Sequence, residues 1–66
     1  MPYASNEELP SSVRLHLPDR AQDIFREAFN HAFERYGGDD ATAFRIAWAA
    51  VKRQYAKVDG EWARRL

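Results

Sequence analysis

The 66-residue sequence contains no cysteine. That excludes disulfide staples, a thiol nucleophile and sulfur-ligated zinc, fits a reducing compartment, and leaves packing alone to hold the fold. Long apolar runs are missing too: the longest, Ile46–Val51, falls far short of the roughly 20 residues a membrane-spanning helix needs. The start of the chain, Met1 to Glu8, has neither the basic opening nor the apolar stretch of a secretory signal, so a cytoplasmic location without membrane insertion is the default expectation. Net charge is absent as well. Ten Lys and Arg balance ten Asp and Glu, and the total gives no argument for nucleic acid or an anionic membrane. What is present is 45% apolar and 14% aromatic, too rich in core formers for a disordered segment. A second domain does not fit, so residues 1–66 read as one small domain whose core is marginal in size.

Pro10, Pro18 and the Gly37-Gly38 pair divide the chain into a broken N-terminal segment, two helices and a tail. Ser5 and Glu8 have the spacing of a capping box for a first turn. Pro10 suits the first position of a second turn, in which Leu9, Val13 and Leu17 share one face. Asp19 can cap a long helix, with Gln22 three residues on reaching back to the cap amide. From Ala21 through Ile24, Phe25, Ala28, Phe29, Ala32 and Phe33 to Tyr36, the alternating steps of three and one lay down a continuous apolar stripe. Gly37 tolerates the left-handed conformation that ends such a helix.

Asp39 or Asp40 can cap the last helix, which the spacing carries to about Lys57 with Phe44, Ala47, Trp48, Val51 and Tyr55 on its core face. So short a link makes the two helices antiparallel, with Ala28, Ala32 and Ala47 allowing close approach. After the Val58-Asp59-Gly60 turn, Glu61–Leu66 is too short for a helix of its own, and Trp62 is expected to fold back on the core. The fold class is therefore mainly α, two long antiparallel helices preceded by short helical turns.

Little here points to catalysis or metal binding. Glu27, His31 and Glu34 share a helix face, but it lies opposite the apolar stripe, without ligands from a second element, and reads as a solvated surface. Ser12, His16 and Asp19 hold the atoms of a hydrolase triad without the pocket and oxyanion hole such triads need. Gly37-Gly38 lacks the further glycine, the lysine and the strand of a phosphate-binding loop. No cofactor is implied, and the chain reads as a non-enzyme.

Regional charge says more. Residues 1–40 carry four basic and eight acidic side chains, residues 41–66 six and two, so a neutral chain is electrically polar. Arg45, Lys52, Arg53, Lys57, Arg64 and Arg65 are the candidate surface for phosphates or an acidic partner. The competing expectation is that these cations pair with the acidic long helix across the antiparallel packing, or simply solvate the surface.

Met1-Pro2-Tyr3, Leu9-Pro10, Val13 and Leu17-Pro18, Ala21-Gln22-Asp23-Ile24 with Ala28-Phe29-Asn30, and Ala47-Trp48-Ala49-Ala50-Val51-Lys52 with Tyr55 and Trp62 together resemble the ChaB family of small bacterial and viral proteins. The resemblance spans nearly the whole chain. It implies a helical domain whose N-terminal extended segment packs near the Trp62 tail, with Tyr3, Phe29, Asn30, Trp48, Tyr55 and Trp62 as structural positions. Asn30, a mediocre helix former at the edge of the stripe, is expected to bond to the N-terminal segment around Pro2 and Tyr3. The resemblance further implies an accessory protein that regulates cation transport, nominally by a sodium or calcium to proton antiporter, through contact with a protein partner. Viral members, and longer bacterial relatives with a nucleic-acid-binding type of domain, imply the alternative of binding DNA or RNA phosphates. The short Gly37-Gly38-Asp39-Asp40 link stands where relatives carry a longer charged insertion. The sequence leaves the oligomeric state open.

Overall fold

The computed structural model describes residues 3–65; the expectations for Met1, Pro2 and Leu66 lie outside them. A 3-10 turn, Asn6–Glu8, leads into a single turn of helix, α1 (Ser11–Arg14), and then into the long helices α2 (Asp19–Arg35) and α3 (Asp40–Gln54). An antiparallel ribbon of β1 (Tyr55–Val58) and β2 (Glu61–Arg64) follows. The fold is a small, mainly helical domain closed by a hairpin.

The stripe on α2 packs against α3. Phe25, Phe29 and Ala32 are buried against Ala43, Ala47 and Val51, and the small side chains bring the helices close. Aromatic edges fill the remaining space, Phe44 meeting Phe25 at 5.3 Å and Phe29 at 5.8 Å, both near perpendicular. That geometry sets the positive edge of one ring on the negative face of another. Leu9, Val13 and Leu17 are buried on this core from the N-terminal side, and Tyr55 closes it from the other end. Phe44 and Trp48, placed by the spacing on the core face, are half-buried, while Ala43 is fully covered.

Helix ends follow local chemistry, and several differ from what spacing predicts. Pro18, not Asp19, is the N-cap of α2, and no side chain caps that end. The proline is already extended, so the helix begins one residue early and Asp19 falls in the first turn, where its charge suits the dipole. Gln22 is consequently not part of a capping box. It is buried and donates to the carbonyls of Leu17 (2.8 Å) and Arg14 (3.1 Å), which fastens α1 to α2. The Ser5–Glu8 box is also incomplete: Glu8 Oε1 accepts from the Ala4 amide at 2.9 Å, and Ser5 makes no side-chain cap bond. Pro10 is the N-cap of α1 rather than its first residue.

At the other end of α2, Gly37 takes φ 67° and the Gly38 amide bonds to Phe33 O at 2.8 Å, a Schellman closure. Asp39 caps α3, its carboxylate accepting from the Thr42 amide (3.2 Å) and hydroxyl (2.8 Å).

The C-terminal region departs most from expectation. Helix α3 ends at Gln54 instead of near Lys57, and the tail is a strand. Asp59 (φ 52°) and Gly60 (φ 82°) form a two-residue loop with both residues left-handed, the geometry that matches the twist of a tight hairpin. Pairing Val58 with Glu61 and Lys57 with Trp62 captures backbone groups that three more helical residues would have left at a frayed end. Trp62 does fold back, stacking on Trp48 at 5.7 Å. Trp62 lines an open cleft with Leu15–Pro18, so the residues after α1 are what neighbour the tail, while the extended segment expected there sits with Tyr3 on Phe29 and Asn30.

Candidate functional site

All six candidate cations are exposed, but they do not form one track. Arg45 and Lys52, seven residues apart, share the solvent face of α3. Arg53 turns from that face toward the seam between α2 and α3, where it lines the same groove as His31 and Arg35. On the ribbon, Lys57 is opposite Trp62 and Arg64 opposite Tyr55, so both belong to the face carrying the two aromatic rings. Arg65 is fastened to α3: its amide bonds to Gln54 O at 2.7 Å and its Nε to Lys52 O at 2.9 Å. A guanidinium there satisfies carbonyls that the last turn leaves open and faces the negative end of the dipole.

The expected pairing of these cations with the acidic first helix does not occur among the described residues. The ion pair found there is Asp23–Arg26, at 3.7 Å, within α2 itself. Those two side chains also hold the N-terminal turn, since Asn6 donates to Asp23 Oδ1 (2.6 Å) and accepts from Arg26 Nε (2.7 Å). Asp39 is bound to its own helix through Thr42, and those hydrogen bonds hold its carboxyl below the usual aspartate range.

Asn30 forms a two-way clasp with Tyr3. Its Oδ1 accepts from the Tyr3 amide (3.2 Å) and its Nδ2 donates to the Tyr3 carbonyl (2.8 Å), as one strand would pair with another. The Tyr3 ring then lies 4.9 Å from Phe29. Burial raises its phenol pKa, with the Asp40 charge adding to the effect. Phe29 and Tyr55 are buried, whereas Trp48 and Trp62 are half-buried partners in the stack.

Glu27, His31 and Glu34 are exposed, and among the described residues no three His, Cys, Asp or Glu side chains are grouped to hold a metal. His16 Nδ1 meets the Ser12 carbonyl, rather than its hydroxyl, at 2.8 Å. No helix among the described residues is long and apolar enough to cross a membrane.

A groove along the other side of the helix pair was not anticipated. Glu27, Ala28, His31 and Arg35 of α2 and Ile46, Ala50 and Arg53 of α3 line it, bounding an open space of about 470 Å³. Periodicity marks these positions as the flank of each stripe; it does not say that nothing else in the chain covers them.

Comparison with known proteins agrees with this architecture. The ChaB family model matches residues 9–65. The Escherichia coli K12 protein named "Putative cation transport regulator ChaB" is 49% identical over 70 aligned positions, covering 92% of each chain. A baculovirus relative from Lymantria dispar multicapsid nuclear polyhedrosis virus, an uncharacterized protein of the LEF8-FP intergenic region, is 37% identical across 70% of this chain and 65% of its own length. An NMR solution structure of a "putative cation transport regulator ChaB" superposes with a TM-score of 0.84 at 45% identity, covering 98% of this chain and all of the other. With the family model matching residues 9–65, close to half of the positions identical to the bacterial protein and the fold shared with that structure, the chain belongs to the ChaB family.

Proposed function

We propose that the protein is a non-enzymatic accessory module that acts in the cytoplasm by docking on a partner protein, nominally a sodium or calcium to proton antiporter. The observation carrying this reading is the set of cations on α3 and the ribbon. Arg45, Lys52, Arg53, Lys57 and Arg64 are exposed and make no ion pair among the described residues, so their charge is directed outward. Exposed cations of this kind contribute little to stability and much to the orientation and rate of docking. The name carried by the bacterial relatives points to cation transport as the process served. A phosphate-binding role on DNA or RNA is less favoured, because Lys57 and Arg64 sit beside Trp62 and Tyr55 rather than in line with Arg45 and Lys52.

The test is proton-coupled sodium or calcium transport in proteoliposomes holding the host antiporter, with and without the purified protein. Wild type should change the transport rate, and a Lys52→Glu, Lys57→Glu, Arg64→Glu variant should not. A wild-type protein without effect would remove the antiporter from the reading. A short DNA duplex titrated at low salt is the control: salt-sensitive amide shifts confined to α3 and the ribbon would transfer the surface to phosphates.

A further inference from the structure

Helices α2 and α3 form a pair that the rest of the described chain covers on one side only. Tyr3 sits on Phe29 and Asn30, and Trp62 on Trp48, on the same side of the pair. On the opposite side Ile24, Ala28, Ile46 and Ala50 remain half-buried along an open seam. We infer that this open seam is the seat for an acidic, amphipathic helical segment of a partner protein, in effect a third helix supplied from outside.

Three observations select that occupant. The floor is made of alanines and two isoleucines, and small side chains let another helix approach closely while the isoleucines take its apolar ridge. The rim is cationic in excess. Arg20, Arg35 and Arg53 border the seam with His31 and make no ion pair among the described residues; of the two facing carboxylates, Asp23 is already held by Asn6 and Arg26. A helical segment with glutamates flanking an apolar stripe satisfies both floor and rim, whereas a phosphate backbone has no use for the floor. The seam runs from Tyr36 to Arg20, about 24 Å or four helical turns, enough for such a segment to seat along its length. A second copy of this chain is disfavoured, because pairing two such seams would set one cationic rim against another.

This inference rests on the reading of the protein as a docking module, and the experiment separates the two. Amide spectra of the isotopically labelled protein are recorded at low salt against a capped peptide of about 16 residues with leucines at helical spacing and glutamates between them. A twin peptide with glutamine for every glutamate serves as comparison. Saturating shifts at Ala28, His31, Arg35, Ile46, Ala50 and Arg53 are expected, with affinity at least about tenfold weaker for the glutamine peptide or for Arg35→Glu with Arg53→Glu. Ala50→Phe, which fills the seam, should abolish binding. Because Arg35 and Arg53 are exposed, the charge variants keep their fold even if Ala50→Phe does not. Equal binding of both peptides, shifts centred on Trp62 or Tyr3, or no shift at millimolar peptide would overturn the assignment. In the transport assay, an active wild type matched by an equally active Arg35→Glu, Arg53→Glu variant would sink the seam and spare the docking role. An inactive wild type that still seats the acidic peptide would do the reverse.

Discussion

Two buried amides tie the N-terminal segment to the helices. Gln22 holds α1 through the carbonyls of Arg14 and Leu17, and Asn30 holds Tyr3 through both its groups. Truncation leaves backbone groups without partners, so Asn30→Ala should destabilise the fold by about 2 kcal/mol in urea unfolding. It should also speed hydrogen exchange at the Tyr3 amide. Asp39 gives a pH signature. Its folded pKa lies below the unfolded one, so its contribution is complete above the ordinary aspartate range and is lost as pH falls through the folded value. Asp39→Asn should therefore flatten the acid limb of the stability profile below pH of about 4, as followed by circular dichroism. Asn30 was legible in the sequence, because a mid-helix asparagine beside an apolar stripe asks for a partner. Gln22 was not: an acidic residue followed three positions later by Gln is the same pattern whether the side chain turns back to a cap or across to a neighbouring turn, and Pro18 decided the matter.

Among the elements, the helices were written in period and the hairpin was hidden by it. Tyr55 falls four residues after Val51 and continues the α3 stripe, while strands of only four residues are too short to show a period of two. The Asp59-Gly60 pair is more than a turn signal, since a two-residue loop of that composition commits its flanks to pairing. Gly60→Ala, at φ 82°, should cost about 1 kcal/mol and lower the midpoint by about 4 to 8 °C in thermal unfolding. Trp62→Ala should cost more, about 2 kcal/mol, because the indole stacks on Trp48.

For the molecule as a whole, the ledger of charge is outward-facing. With Asp23–Arg26 as the ion pair among the described residues, raising salt from about 0.05 to 0.5 M should move the thermal midpoint little, while seating of the acidic peptide beside Arg35 and Arg53 should weaken sharply. Differential scanning calorimetry and the peptide titration, run over the same salt series, measure the two separately. The division of charge between the halves was legible in the sequence; the side of the helix pair that stays open was not, because it depends on where a distant segment comes to rest. The closures at Gly37 and Asp39 carry a last consequence, for chain length. Each helix is terminated by its own residues, the Gly38 amide on Phe33 and the Asp39 carboxylate on Thr42, so neither end relies on the other across the link. Residues inserted between Gly38 and Asp39 leave both terminations intact and lengthen only an exposed loop, at about 0.6 kcal/mol per doubling. The junction is thus a place where the chain can be lengthened without refolding either helix.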